Sequence, residues 1–137
     1  MVPYGAGVCG QDQSQNQEAA PPTPRAPPPR WATTWGAITT ALVPKAVLGT
    51  STNFPTESSA VQSAMQDCRS KGGANCKVEL TYYNQCAALI VGHPGYVVES
   101  GETLDVAVQK SMSECASARN TNCRVLYSAC SLARKIQ

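Results

Sequence analysis

The chain has 137 residues, of which 42% are hydrophobic, and a formal net charge of +2 from 11 basic and 9 acidic side chains. This length suits one domain of ordinary size. A nucleic-acid-binding protein usually concentrates its basic residues on one face, whereas here they are scattered and the longest basic run is Arg134-Lys135. We therefore expect no nucleic-acid partner. No apolar run approaches the length needed to cross a bilayer, so we also expect no membrane span.

Residues 1–30 form an arm rich in proline and glutamine. From Gly10 to Arg30 the arm contains no large aliphatic side chain, so it cannot bury enough apolar surface to offset its ordering entropy. We expect this arm to be disordered, with one folded domain over residues 31–137. Cys9 lies in the arm, and we expect it to have lost a partner encoded upstream of Met1. A free thiol and a bridge between two chains are the alternatives.

The folded part contains a repeat. CRSKGGANC, from Cys68 to Cys76, and CASARNTNC, from Cys115 to Cys123, share one pattern, and a shift of 47 residues superimposes them. Such internal similarity bears directly on topology. It predicts two half-repeats, at about residues 35–84 and 86–131.

The first half-repeat begins with two β-prone stretches, TTWGAITTALV and AVLGTST, separated by a turn at Pro44-Lys45. A helix follows, with Thr56 as its N-cap and Gly72-Gly73 at its end. The strand CKVELTYYNQ closes this half, since its side chains alternate between apolar and polar. The helix is amphipathic, and its apolar face consists of Ala60, Val61, Ala64, Met65 and Cys68.

The second half-repeat follows the same order. CAALIVG and YVVES predict two strands around a turn at His93-Pro94-Gly95. A helix then starts after Thr103 and ends at Asn120, and CRVLYSAC predicts the last strand. The apolar face of this helix consists of Leu104, Ala107, Val108, Met112 and Cys115.

These elements predict an α+β fold made of two ββαβ pseudo-repeats. We expect the strands to form one mostly antiparallel six-stranded sheet, with the two helices packed on one of its faces.

Seven cysteines predict disulfides rather than a metal site. Zinc ligands come in short knuckles such as C-x2-C, which this chain lacks, and His93 is its only histidine. Since each nine-residue segment runs from a helix end to the next strand, we pair Cys68 with Cys76 and Cys115 with Cys123. The remaining pair is Cys86 and Cys130. In the repeat these two cysteines stand where Trp35 and Tyr83 stand in the first half, so we expect that aromatic pair to be neighbours as well.

The strings WGAI, from Trp35 to Ile38, and CKVELTYYNQCAAL, from Cys76 to Leu89, resemble a bacterial domain of unknown function. That domain occurs in exported proteins of xanthomonad-type bacteria and in secreted mycobacterial proteins. The resemblance extends from Trp35 to about Cys130. It implies an α+β fold and a secreted or periplasmic protein, and it brings no established catalytic residue. The sequence shows no signal peptide, so we expect a trimmed precursor or a start other than Met1.

The sequence offers little catalytic chemistry. A hydrolytic nucleophile needs a base oriented by a third group, and the only imidazole, His93, stands in a predicted turn. Glu79, Glu99 and Glu102 could supply glycosidase carboxylates, but solvated or helix-capping roles are more common. We therefore expect no enzyme, no catalytic residue, no metal and no cofactor. A cell-envelope hydrolase that uses His93 is the alternative, and a structural envelope component is a further one.

A binding role is the main hypothesis. Aromatic side chains on an open surface make good anchors for a protein partner, and we assign Tyr82, Tyr83, Tyr96 and Trp31 to a possible binding surface. The alternative for the tyrosines, and the more common role, is to cover the edge of the core. We expect a monomeric, non-enzymatic exported module that binds a protein partner. It would act either as an immunity or inhibitor protein against a toxin, or as a secreted effector.

Overall fold

A computed structural model of the chain describes residues 28–136. Cys9 and nearly all of the predicted arm lie outside the described residues. Within these described residues, eight strands and two helices follow in this order: β1 (Trp31–Ala32), β2 (Trp35–Ala41), β3 (Val47–Phe54), α1 (Glu57–Ser70), β4 (Lys77–Tyr83), β5 (Gln85–His93), β6 (Tyr96–Gly101), α2 (Leu104–Ser117), β7 (Thr121–Ser131) and β8 (Arg134–Lys135).

The strands form three small antiparallel sheets. Sheet one has the order β3-β2-β4, sheet two has the order β6-β5-β7, and β1 pairs with β8. The α+β class is therefore confirmed, but the prediction of one six-stranded sheet is wrong. The chain leaves sheet one at Asn84, which has a φ of 53° and exchanges backbone and side-chain hydrogen bonds with Thr34. This turn separates β4 from β5, so the two strands do not pair.

The two sheets pack face to face, and the helices cover their outer faces. Ile38 and Tyr82 of sheet one form a single buried cluster with Ala87 and Leu89 of sheet two. The opposite faces meet the helices, since Ala37 packs with Ala60 and Ala64 of α1, and Ala88 packs with Ala107 of α2. The prediction that both helices share one face of a sheet is therefore wrong. Each central strand is covered on both sides, which fits the nearly unbroken burial of β2 and β5.

Threonine caps begin both helices, as the sequence predicts. The Thr56 hydroxyl accepts from the Ser59 backbone N–H at 3.1 Å, and the Ser59 hydroxyl bonds back to Thr56 in a capping box. The Thr103 hydroxyl accepts from the Val106 N–H at 3.2 Å. These contacts satisfy first-turn amides that have no partner within the helix.

Small side chains let α1 lie close to sheet one. A Cβ atom on Gly49 would stand 2.2 Å from the carbonyl oxygen of Ala64, so only glycine permits this approach. The Thr39 hydroxyl also donates to that carbonyl at 2.8 Å. The helix therefore fixes the outer face of sheet one and leaves its inner face to sheet two.

Two local predictions for α2 need correction. Leu104, the first helical residue, is exposed, and Ser111 is buried with its hydroxyl donating to the Ala107 carbonyl. The left-handed residue after α2 is Arg119, with a φ of 65°, rather than Asn120. The Asn120 side chain instead accepts from the Gly95 N–H at 2.7 Å and so holds the β5–β6 turn.

The structure joins the same cysteine pairs that the sequence predicts, Cys68–Cys76, Cys115–Cys123 and Cys86–Cys130. Trp35 and Tyr83 are register partners on β2 and β4, and their ring centroids are 4.8 Å apart. In sheet two, Cys86 and Cys130 are register partners on β5 and β7.

Candidate binding groove

A β-bulge interrupts the third strand of each sheet. In sheet one, Ile38 pairs with Leu80 and Thr39 pairs with Val78, so Glu79 is the extra residue of β4. In sheet two, Leu89 pairs with Tyr127 and Ile90 pairs with Val125, so the extra residue of β7 is Leu126. A bulge re-aims the inserted side chain. Here it takes both side chains out of the strict alternation that the sequence suggested.

The layer between the two sheets opens at one end into a groove with a volume of about 350 Å³. Eight of its lining residues are aliphatic, and the other two, Thr40 and Tyr96, carry hydroxyl groups. Among the described residues, the lining consists of Thr40, Ala41, Leu42, Ala46, Val47, Leu48, Leu89, Val91, Tyr96 and Leu126. A concave, mostly apolar site with a few polar groups is the usual form of a binding pocket.

The groove has a buried floor and an exposed rim. Leu89 is buried at the floor, where Leu48 and Val91 pack against the cluster between the sheets. At the rim, Leu42 is 62% exposed and Leu126 is 54% exposed. The floor is therefore fixed by the core, while the rim presents large apolar side chains to solvent. Exposed apolar side chains gathered around a cavity are typical of an interaction site.

A carboxylate fixes the two hydroxyl groups of the lining. Thr40 donates to Glu79 Oε2 at 2.5 Å, and Tyr96 also donates to this oxygen. Lys77 Nζ lies 3.7 Å from the same atom. Glu79 is only 16% exposed, because the bulge turns it inward.

The surroundings keep Glu79 ionised. Burial alone would raise the pKa of Glu79, but the hydrogen bonds from Thr40 and Tyr96 and the charge of Lys77 outweigh it, so this pKa lies below its ordinary value. Burial and the bond to Glu79 raise the pKa of Tyr96. Near neutral pH, Glu79 therefore carries the negative charge and Tyr96 keeps its proton.

Basic side chains flank the groove on two sides. Cross-strand partners share one face of a sheet, and Lys77 is the partner of the groove residue Thr40. Arg124 is likewise the partner of the groove residue Val91. Both basic residues are exposed.

The four side chains that the sequence assigns to a binding surface do not form one surface in the structure. Only Tyr96 lines the groove. Tyr82 is fully buried, so its assignment to a surface is wrong. Its ring crosses Gly36, where a Cβ would lie 2.4 Å from Tyr82 Cζ, and burial raises its pKa. Tyr83 is 52% exposed but rests on Trp35, while Trp31 is exposed on β1.

Of the residues of the hydrolase alternative, Glu79 accepts hydrogen bonds from two side chains of the groove lining, whereas His93 and Glu99 are not part of that lining. His93 is exposed at the end of β5 and is not part of the groove lining. Glu99 lies 3.7 Å from Lys110 on the α2 side of sheet two, and its hydrogen bond raises the pKa of the exposed Glu114. Within residues 28–136, no cluster of histidine, cysteine or acidic side chains has the arrangement of a metal site.

The groove and its bulges fall inside a recognised family unit. A family model described as domain of unknown function DUF4189 matches residues 35–130. The chain belongs to this family. The resemblance noted from the sequence is thus confirmed at the level of a domain of unknown function. The match runs from the first residue of β2 to the penultimate residue of β7, so it includes both sheets and both helices of this DUF4189 domain.

No curated protein and no solved structure matches this chain. Among the described residues, no helix has both the length and the apolar character needed to span a membrane.

Proposed function

We propose that this DUF4189 domain is an exported, non-enzymatic binding module that holds a protein partner at the groove. The supporting observation is the exposed apolar rim, Leu42 and Leu126, above a floor fixed by the core. A protein partner can cover such a rim and insert a side chain, which is how the anchors of protein interfaces usually bind.

Export is part of the proposal. Disulfides form and persist in oxidising compartments, and the six cysteines of the described residues are joined in three disulfides. The resemblance to secreted and periplasmic proteins of xanthomonad-type bacteria and mycobacteria supports the same location. We propose that the domain acts there as a monomer, either neutralising a toxin or serving as a secreted effector.

The similar order of elements in the two sheets supports a second proposal about origin. Each sheet has its first strand in the centre and carries a bulge in its third strand. We infer that the two halves are ββαβ repeats of one ancestral unit.

The proposed function is tested with two variants matched in residue type and exposure. Leu126→Glu places a charge on the groove rim, whereas Leu132→Glu changes a leucine that is also 54% exposed but lies outside the groove lining. Oxidised wild-type protein and both variants are immobilised and incubated with periplasmic and secreted fractions. Bound proteins are then identified and quantified by mass spectrometry.

We expect one protein to be retained at a stoichiometric level by the wild type and by Leu132→Glu, and to be lost with Leu126→Glu. A partner retained equally by all three proteins would place binding elsewhere on the domain. If nothing is retained, hydrolysis of peptidoglycan or lipid substrates that disappears in His93→Ala would establish the hydrolase instead. Pelleting with envelope fractions would establish the structural component.

A further inference from the structure

The two hydroxyl groups of the groove lining can act only as hydrogen-bond acceptors toward a ligand. The hydroxyls of Thr40 and Tyr96 each have one proton, and both donate that proton to Glu79. Each oxygen therefore has only acceptor lone pairs left for a ligand. Within the described part of the chain, these are the only polar side chains of the lining. A group that enters the groove is therefore matched best if it is apolar and supplies a hydrogen-bond donor.

The volume admits a large inserted group. A volume of about 350 Å³ is roughly ten times the ~30 Å³ that one water molecule occupies in the liquid, so the groove has room for a bulky side chain. A leucine or valine side chain would leave most of this space empty. The indole side chain of tryptophan, with about ten non-hydrogen atoms, occupies more of it than any other side chain would, and its N–H is a donor without acceptor character.

The flanking charges favour an acidic partner. Lys77 and Arg124 share the faces of two groove residues, Thr40 and Val91. Glu79 is mostly buried, and its contacts are with Thr40, Tyr96 and Lys77. A lysine or arginine of the partner could also donate a hydrogen bond, but it would meet both of these cations. Carboxylates next to the inserted group would be attracted to them instead.

We propose that the groove takes the side chain of a tryptophan from an acidic segment of the partner, with the indole N–H donated to Thr40 or Tyr96. This inference rests on the proposed function, because it identifies the group that the partner inserts. Glu79 is a positioning residue, since it turns the two hydroxyls into acceptors without lining the groove itself.

The test uses two pentapeptides that differ only in the central residue. One has tryptophan between pairs of aspartates, and the other has naphthylalanine in the same place, which is similar in size but lacks the N–H. Each is titrated into ¹⁵N-labelled, oxidised protein, and amide chemical shifts give both the affinity and the location. We expect the tryptophan peptide to bind about tenfold more tightly, with the largest shifts at Thr40, Tyr96 and Leu126.

Variants separate the hydrogen bond from simple packing. Tyr96→Phe removes one acceptor and should reduce the preference for tryptophan at least threefold while leaving the naphthylalanine affinity nearly unchanged. Tyr83→Phe removes an exposed hydroxyl outside the groove and should leave the preference intact. A tryptophan peptide flanked by lysines should bind more weakly than the aspartate peptide.

Three results would overturn the inference: equal affinity for the two peptides, shifts that lie outside the groove, or no shifts at the highest soluble peptide concentration. If retention of a partner still depends on Leu126 in the capture experiment, any of these results rejects the tryptophan inference but leaves the proposed function intact. If no partner depends on Leu126 and no peptide shifts the groove, both proposals fail.

Discussion

The two sheets solve one structural problem with different chemistry. Both must hold the start of a central strand to the end of a third strand. In sheet one, the ring of Trp35 packs against that of Tyr83, and in sheet two, Cys86 is bonded to Cys130. The aromatic pair stabilises the folded state through contact, whereas the disulfide also restricts the unfolded chain. Corresponding positions in the two sheets can therefore share a location without sharing a residue type or the same contribution to the free energy of unfolding.

Removal of the Cys86–Cys130 disulfide should have the largest effect on stability. Cys86→Ser with Cys130→Ser opens a loop with a sequence separation of 44 residues. On the loop-entropy model this lowers the free energy of unfolding by about 4 kcal/mol. Urea denaturation monitored by circular dichroism measures the change. A loss below about 1 kcal/mol would show that this pair does no more than the aromatic pair.

The two short disulfides should contribute equally to the free energy of unfolding. Cys68–Cys76 and Cys115–Cys123 both have a sequence separation of 8 residues. Each double serine variant should lose roughly 2.6 kcal/mol of unfolding free energy in the same denaturation experiment. A difference of more than about 1 kcal/mol between the two variants would contradict the equivalence of the two helix ends.

The aromatic pair should contribute less than any disulfide. Tyr83→Ala removes the ring that rests on Trp35, and Tyr83 is already half exposed. We expect a loss of about 1 kcal/mol in the free energy of unfolding. Tyr83→Phe keeps the ring and serves as the control, with almost no change. If Tyr83→Phe lost as much as Tyr83→Ala, the hydroxyl and not the contact between the rings would be responsible for the stabilisation.

The smallest expected effect is a loss of stability at acidic pH. Burial alone would raise the pKa of Asp67 and of Glu79, but hydrogen bonds and a neighbouring lysine outweigh it, so both pKa values lie below their ordinary values. Both residues lie in the first half of the domain, which contains sheet one and α1. A carboxyl group with a lowered folded pKa stabilises the fold above its unfolded pKa, and this stability is lost as the pH falls through the folded pKa. The ordinary values are 3.8 for aspartate and 4.5 for glutamate.

Amide hydrogen exchange followed by NMR at pH values from 6 to about 3 measures this difference. Protection in β2, β3 and β4 should decline before protection in β5, β6 and β7. Thr40→Val removes one donor to Glu79 and should move the decline of the first half to higher pH. An earlier loss of protection in the second half would contradict the assignment.

Much of the fold could be predicted from local patterns. Thr56 and Thr103 marked the helix starts through their hydroxyls, and period-two alternation marked the strands. The arrangement of sheets could not be obtained this way, because alternation shows which residues share a face but not what covers it. The near-continuous apolar run in CAALIV was the available signal, since a strand covered on both faces loses its alternation.

The candidate site was largely invisible in the sequence. Leu126 and Glu79 reach their positions through bulges, and a bulge shifts the alternation by one residue without a distinctive residue type. Leu42 lies after β2 and appears as an ordinary apolar residue near a turn. Tyr82 was misassigned because its burial depends on Gly36, which lies opposite on a different strand. The pairing of β1 with β8 rests on two residues each, too short for a periodic signal.

The most direct test of the central claim compares partner affinity between two leucine variants of equal exposure. Once a retained protein is in hand, its Kd is measured by isothermal titration for wild type, Leu126→Glu and Leu132→Glu. The groove account predicts at least a tenfold loss for Leu126→Glu and a wild-type value for Leu132→Glu. Unchanged affinity in Leu126→Glu, or an equal loss in both variants, would contradict it.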